Sequence, residues 1–83
     1  LSRVDRAESA LHGLGFRQVR VRHYGETARI EVEQSVLDQA IANRVAIIEA
    51  VKDAGYRYVT LDLEGFRSGN LNGAITDSSS SAY

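Results

Sequence analysis

The fold is decided by residues 19–32, which read VRVRHYGETARIEV. Apolar residues such as Val21 and Ile30 alternate with polar ones on both sides of Gly25 and Glu26. A period of two is typical of half-buried strands. Glycine at the first position of a two-residue loop is what a type II′ hairpin turn requires. The pattern therefore predicts two antiparallel strands joined by a tight turn.

Helical periodicity flanks this hairpin on both sides. Apolar residues recur at helical spacing over residues 3–14, and Ser2 precedes them as a candidate N-cap. A second helical pattern covers residues 35–54 and stops at Gly55. Because Asn43 could cap a separate helix, one long helix and two short ones both remain open for this region.

Strand-like alternation returns from Tyr56, with Val59, Leu61 and Leu63 on one face. A right-handed crossover makes the second and third strands parallel, and the first strand fits between them, antiparallel to both. We therefore expect an α+β domain in the order helix-strand-strand-helix-strand. Its three-stranded split sheet has the strand order 2-1-3, and two helices cover one face.

The composition indicates one small domain followed by a tail. The chain has 83 residues, of which 43% are hydrophobic and 25% charged, and it lacks an apolar run long enough to span a membrane. We expect the domain over residues 1–72 and a flexible, Ser-rich, disordered tail over residues 73–83. Since the chain lacks methionine and starts at Leu1, it is interpreted as a fragment of a longer protein.

The hairpin register places a charged cluster on the polar face of the sheet. Counted from the turn, Arg20 opposes Glu31 and Arg22 faces Arg29, a like-charge pair that is unfavourable unless an anion lies between them. Glu31 is diagonal to Arg22 and can neutralise part of this charge, and Asp62 reaches the same face if the third strand adjoins the first. The cluster is either an ordinary solvated surface with ion pairs or a site in which the arginines bind a phosphate and the carboxylates hold a metal or a cation.

Two further features bear on function. Nine of the ten cationic residues are arginine, the better residue for bidentate anion contacts, although the net charge of −1 argues against bulk attraction to nucleic acid. A glycine-containing loop beginning at Ser68, with Arg67 beside it, has the backbone freedom to contact a phosphate. His12 and His23 have no metal-binding spacing, so we expect an exposed and a structural histidine. Cysteine is absent, and no catalytic residue is predicted.

Two segments also resemble a known family. Residues 15–25 read GFRQVRVRHYG and continue with ARIEV at 28–32, and residues 55–70 read GYRYVTLDLEGFRSGN. Both are similar to the C-terminal region of LarE-type ATP-dependent sacrificial sulfur transferases. The resemblance covers most of residues 1–70.

The resemblance implies a cytoplasmic enzyme of the PP-loop pyrophosphatase superfamily that acts in nickel-pincer nucleotide biosynthesis. Such an enzyme uses ATP and Mg to adenylate a pyridinium mononucleotide and then supplies sulfur to it. The resemblance also implies that the ATP site and the sulfur source lie in an N-terminal domain preceding Leu1, so this fragment holds no cofactor and does not catalyse the reaction alone. Family members are oligomers in which C-terminal domains contribute subunit contacts, which implies a homo-oligomer.

Site residues follow from the same resemblance. Arg20 and Arg22 are similar to arginines near the substrate phosphate, while Glu8, Glu31 and Asp62 are similar to acidic positions at the active site or a metal site. Glu8 rests on the resemblance alone. The alternative function is an independent split-sheet module that recognises RNA or a protein partner through its arginine-rich face.

Overall fold

The computed structural model describes residues 1–66. Its elements are α1 (Arg3–Gly13), β1 (Val19–Tyr24), β2 (Thr27–Val32), a 3₁₀ turn (Gln34–Val36), α2 (Leu37–Ala42), α3 (Arg44–Asp53) and β3 (Tyr58–Leu61). The α+β class and the order helix-strand-strand-helix-strand are confirmed. The predicted tail over residues 73–83 lies outside the described residues.

The β1–β2 hairpin has the predicted register. Val21 pairs with Ile30, and Arg22 pairs with Arg29. The loop consists of Gly25 and Glu26, and Gly25 has a φ of 59°, in the left-handed region that the first position of a type II′ turn needs. The alternation of side chains around a two-residue loop was therefore sufficient to predict this register.

The predicted strand order 2-1-3 is wrong, because β2 is the central strand. The sheet has the order β1-β2-β3, in which β1 is antiparallel and β3 parallel to β2. The parallel relation of β2 and β3 was predicted correctly, but these strands are direct neighbours, joined by a crossover through α2 and α3. Burial explains the order: the core-facing residues of β2, Ala28, Ile30 and Val32, are at most 1% exposed, as expected of a strand with a neighbour on each side.

The region that allowed one helix or two contains two. The break lies at Asn43, whose side-chain Nδ2 donates back to the carbonyl of Gln39 at 2.8 Å and makes no cap hydrogen bond to α3. The N-cap position of α2 is Val36, which makes no side-chain cap hydrogen bond. At the first helix the cap is present as predicted, since Ser2 Oγ accepts a hydrogen bond from the backbone N–H of Asp5 at 3.1 Å.

The helices pack on one face of the sheet and enclose the core. The buried apolar residues of helices and sheet form one cluster: Ala7, Leu11, Phe16, Val19, Val21, Ala28, Ile30, Val32, Ala40, Ile47, Val51, Ala54 and Tyr56. Two cations of α1 also bind the C-terminal end of α3, where backbone carbonyls carry partial negative charge. Arg3 donates to the carbonyl of Gly55, and Arg6 donates to the carbonyl of Ala54, each at 3.2 Å.

The third strand is shorter than predicted. It ends at Leu61, and Leu63 is 72% exposed instead of continuing the apolar face. The chain turns here because the Asp62 carboxylate accepts the backbone N–H of Glu64 at 3.0 Å, a local bond that competes with strand pairing. Among the helices of the described part, none is long and apolar enough to cross a membrane.

Candidate functional site

The face of the sheet opposite the helices, here called the open face, carries the predicted charged residues. Side chains of paired residues point to the same side of a sheet, so the observed pairing assigns them to this face. Its members are Arg20, Arg22, Tyr24, Thr27, Arg29, Glu31, Tyr58 and Thr60. The helices contribute their buried residues to the other side.

The open face is organised in rows that cross the strands. Tyr24 pairs with Thr27, which pairs with Tyr58, and we call these three the tyrosine row. Two residues away along each strand is a second row, here called the arginine row. It consists of Arg22, Arg29 and Thr60. Arg20 and Glu31 pair in the next row. Aromatic, cationic and acidic groups are thus sorted by position along the strands.

Glu31 joins the two facing arginines of the arginine row. Its Oε1 accepts from Arg22 Nε at 3.2 Å, and its Oε2 accepts from Arg29 at 2.9 Å. The Glu31 side chain is 12% exposed, whereas those of Arg22 and Arg29 are 44% and 41% exposed. Both carboxylate oxygens are therefore engaged beneath two guanidinium groups that remain open to solvent.

Arg29 is held firmly in its charged form. Its pKa is raised above the ordinary value, mainly by the hydrogen bond to Glu31 and also by the negative charge of Asp62, against an opposing effect of desolvation. Its Nε is buried and has no hydrogen-bond partner in the described part of the chain. The guanidinium group also lies over the ring of Tyr24, with 5.4 Å from Cζ to the ring centroid.

Arg20 lies at the end of the open face. Its guanidinium group is 5.5 Å from the ring centroid of Phe66, a geometry in which a cation is attracted to the face of an aromatic ring. Phe66 is placed there by backbone bonds, because its N–H donates to the carbonyl of Val32 and its carbonyl accepts from the N–H of Gln34. The segment after β3 thus returns to the end of β2 and supplies an aromatic contact for Arg20.

Asp62 reaches the cluster by a different route from the one expected. The prediction assumed that β3 adjoins β1, but β3 adjoins β2 and the backbone N–H of Asp62 donates to the carbonyl of Ile30 at 2.9 Å. Asp62 therefore acts electrostatically on Arg29, a residue of β2. The structure brings Arg22, Arg29, Glu31 and Asp62 together, with Arg20 beside them.

Glu8 lies away from this cluster, at the outer edge of β1. Its Oε2 accepts the backbone N–H of Val21 at 3.0 Å. An edge strand presents backbone groups that lack a neighbouring strand, and a helix carboxylate satisfies one of them here. The sequence suggested Glu8 only through the family resemblance, and only knowledge of which strand forms the edge would have shown this contact.

The fit of a metal ion can be tested on the acidic residues. Within residues 1–66, no group of three or more His, Asp or Glu side chains could hold a metal ion. Both oxygens of Glu31 bond to arginines, and Glu8 bonds to the backbone of β1. The acidic side chains among the described residues therefore do not fit a bound Mg²⁺.

The remaining candidate residues are structural or outside the described part. His23 Nδ1 lies 2.7 Å from the hydroxyl of Tyr56, as expected of a structural histidine, and the exposed His12 lies 2.9 Å from the carbonyl of Phe16. Arg67 and Ser68, predicted as a possible loop contact, lie outside the described residues. The alternation places Tyr24 and Tyr58 on the polar face, but their alignment with Thr27 in one row was not predicted, because it depends on the pairing of β2 with β3.

Comparison with known proteins places this geometry in context. No family model matches the chain. Over 76 residues the chain is 40% identical to a pyridinium-3,5-bisthiocarboxylic acid mononucleotide synthase of Lactiplantibacillus plantarum, an alignment that covers 92% of this chain and 28% of that protein. It is also 43% identical over 81 residues to an uncharacterised protein of Synechocystis, covering 92% of this chain and 29% of that one.

The fold and these alignments show that the chain is an α+β domain and that it is homologous to part of longer proteins. The chain spans less than a third of the length of the curated relatives that it matches. In this alignment the chain corresponds to the C-terminal region of a LarE-type protein, which confirms the resemblance seen in the sequence.

Proposed function

We propose that this chain is the C-terminal domain of an ATP-dependent sulfur transferase, in which the arginines of the open face bind the phosphate of a pyridinium mononucleotide. The name of the Lactiplantibacillus plantarum relative refers to such a mononucleotide. The single observation that carries the proposal is the arginine row, where Arg22 and Arg29 face each other across one shared carboxylate.

The charge of the cluster favours an anion. Within the described residues Arg22 and Arg29 both form their ion pair with the same carboxylate, that of Glu31, so two guanidinium groups share one negative partner. A phosphate above the arginine row relieves the repulsion between facing guanidinium groups and accepts charge-assisted hydrogen bonds from them. An ordinary salt-bridged surface already has one carboxylate for each guanidinium group. In this cluster a bound phosphate would supply the missing negative charge.

Glu31 orients the arginines for this role. It bonds to the Nε of Arg22, and within residues 1–66 the two terminal nitrogens of that guanidinium group form no hydrogen bond. Those N–H groups are the donors that a phosphate would use. In this proposal Glu31 positions the donors, and Glu8 stabilises the strand that carries them.

The catalytic centre is proposed to belong to the rest of the protein. An N-terminal PP-loop domain would bind ATP and supply the sulfur, and the present domain would hold the mononucleotide against it. The present domain alone would then bind the substrate phosphate without transferring sulfur.

Subunit contacts form a second part of the proposal. An apolar groove of about 270 Å³ lies between α2, α3 and β3, and Ile41, which lines it, is 50% exposed. Large exposed apolar residues beside a groove are typical of an interaction surface. We expect sedimentation equilibrium to show reversible self-association that Ile41→Glu abolishes, and a monomer at every concentration would contradict this part.

The phosphate site can be tested by titrating the chain with ribose 5-phosphate while recording backbone amide chemical shifts. We expect the largest changes at Arg20, Arg22 and Arg29. Arg22→Gln is expected to weaken binding about tenfold, because a hydrogen bond to a charged group contributes about 1.5–3 kcal/mol. A titration that moves none of these amides would remove the phosphate site.

The matched control is Arg44→Gln. Arg44 is the first residue of α3 and lies in the helical layer, and its substitution removes the same charge. We expect ribose 5-phosphate to bind this variant nearly as well as the unaltered chain. Equal weakening by Arg22→Gln and Arg44→Gln would indicate a general effect of net charge and would contradict a site at the arginine row.

A further inference from the structure

The tyrosine row lies beside the arginine row and contributes no ligand to the proposed phosphate site, although Tyr24 contacts Arg29. Tyr24 and Tyr58 are 55% and 52% exposed, and Thr27 lies between them in the register. Large exposed aromatic side chains at one level of an open sheet are typical of surfaces on which planar ligands stack. The position of this row beside a cationic row gives it a defined ligand chemistry.

The spacing within the row leaves room for one planar ring. Neighbouring strands are about 4.8 Å apart, so Tyr24 and Tyr58 lie about 9.5 Å apart at the backbone. A planar ring stacked between two others needs about 7–8 Å, at about 3.5–4 Å of carbon contact on each side. Thr27 carries a short side chain between the two tyrosines, and the Arg29 guanidinium group that lies over the Tyr24 ring would turn toward the phosphate to admit a ligand ring that contacts both.

The spacing between rows matches a nucleotide. Residues two apart on a strand are separated by about 7 Å, which is the offset of the tyrosine row from the arginine row. A ribose bridges a comparable distance between a base and its phosphate. A mononucleotide can therefore place its phosphate on Arg22 and Arg29 and its ring above Thr27.

The electrostatics of the row favour a cationic ring. Guanidinium groups already lie over both tyrosines, that of Arg29 at 5.4 Å from the Tyr24 centroid and that of Arg57 at 5.5 Å from the Tyr58 centroid. The negative face of an aromatic ring attracts any cation placed over it. A pyridinium ring is planar and positively charged, so it gains both stacking and cation–π attraction, whereas a neutral base gains stacking alone.

We propose that Tyr24 and Tyr58 form the binding site for the ring of a pyridinium mononucleotide, with Thr27 beneath it and the phosphate on the arginine row. This inference rests on the proposed function, because it takes the arginine row as the phosphate site. It adds two residues that select the ligand by its ring, where the arginines select only its phosphate.

The test compares three ligands that share the phosphate. The 83-residue chain is titrated with nicotinamide mononucleotide, uridine 5′-monophosphate and ribose 5-phosphate, with amide shifts as the readout. We expect nicotinamide mononucleotide to bind about tenfold more tightly than ribose 5-phosphate, as one stacked base provides, with the uridine nucleotide in between. The amides of Tyr24, Thr27 and Tyr58 should shift only with the two nucleotides.

Variants then assign the preference to the tyrosines. The double variant Tyr24→Leu/Tyr58→Leu should bind all three ligands as weakly as ribose 5-phosphate, and Tyr24→Phe/Tyr58→Phe should keep the preference because it keeps both rings. Since both positions are half-exposed, we expect each variant to fold, and circular dichroism checks this. A preference retained by the leucine variant would overturn the assignment to these residues.

The remaining outcomes separate this inference from the function on which it rests. Equal binding of nicotinamide mononucleotide and ribose 5-phosphate would overturn the ring site and leave the phosphate site standing. No binding of any ligand would overturn both. Tighter binding of a short single-stranded oligoribonucleotide than of every mononucleotide would also overturn the inference, because it would identify the open face as an RNA-binding surface.

Discussion

The two faces of β2 achieve burial by different means, although their residues alternate along one strand. On the helix side Ala28, Ile30 and Val32 are covered by apolar side chains of the core. On the open face Glu31 is 9% exposed, yet it is covered by its own partners, Arg22 and Arg29. The core face is closed by other elements, while the open face is closed only by side chains that themselves remain accessible.

This difference separates stability from function within one strand. Burial of apolar surface is the main contribution to folding, and exposed ion pairs contribute little. A charged cluster that is buried only by its own partners is therefore a weak stabiliser, but its guanidinium groups stay available to a ligand. The variants below test whether the two faces divide in this way.

The largest effect is expected on the core face. Ile30→Ala should lower the free energy of unfolding by about 3 kcal/mol, since it removes a completely buried side chain and leaves a cavity. Urea titration measures this loss, and the milder Ile30→Val, at about 1 kcal/mol, covers the case in which the alanine variant does not fold. Ile41→Ala is the matched control, because Ile41 is 50% exposed and its truncation should change stability by less than about 0.5 kcal/mol. Equal losses at both positions would show that burial on the core face does not determine the loss of stability.

The neighbouring residue on the open face should matter less for folding. Glu31→Gln should lower the free energy of unfolding by about 1–2 kcal/mol. This is less than the loss expected when one partner is removed from a fully buried ion pair, because the arginines are partly solvated. Its physical cause is repulsion between the facing guanidinium groups. Urea titration measures the loss, with Glu49→Gln on the exposed side of α3 as a control that should change little.

A second substitution tests whether repulsion causes this loss of stability. If repulsion is the cause, Glu31→Gln/Arg22→Gln should be more stable than Glu31→Gln alone, because one of the facing charges has been removed. A double variant that is less stable than the single one would instead mean that the open face stabilises the fold by packing.

The difference between edge and centre of the sheet gives the next prediction. Glu8→Ala removes the acceptor of the Val21 N–H and should cost about 1 kcal/mol, because a partly buried backbone donor loses its bond. Hydrogen exchange of the Val21 amide should become several-fold faster, and Glu8→Gln should restore most of the protection because its side-chain oxygen can still accept. Unchanged exchange in Glu8→Ala would show that the contact does not protect the edge.

The same contrast explains what the sequence could and could not predict. The hairpin register followed from local alternation around Gly25 and Glu26, and this register alone placed Arg22 opposite Arg29. The strand order failed because it depends on pairing between segments far apart in the sequence, such as that of Ile30 with Leu61. The alternation also placed Tyr24 and Tyr58 on the polar face, but their alignment in one row could not be predicted for a related reason, since it requires the pairing of Thr27 with Tyr58 across the crossover.

The smallest effect is expected where the core face reaches solvent at the end of β1. The alternation of side chains along β1 assigns His23 to the core face, but His23 is exposed. Its Nδ1 lies within hydrogen-bond distance of the hydroxyl of Tyr56, a residue that is 3% exposed. Tyr56→Phe keeps the ring and its edge-to-face contact with His23 and removes only this hydrogen bond. We expect a loss of about 0.5–1 kcal/mol in urea titration, because the histidine can bond to water instead. A loss as large as that of Ile30→Ala would mean that a polar bond supports the core face as strongly as apolar burial does, and the two faces of the sheet would then no longer differ in kind.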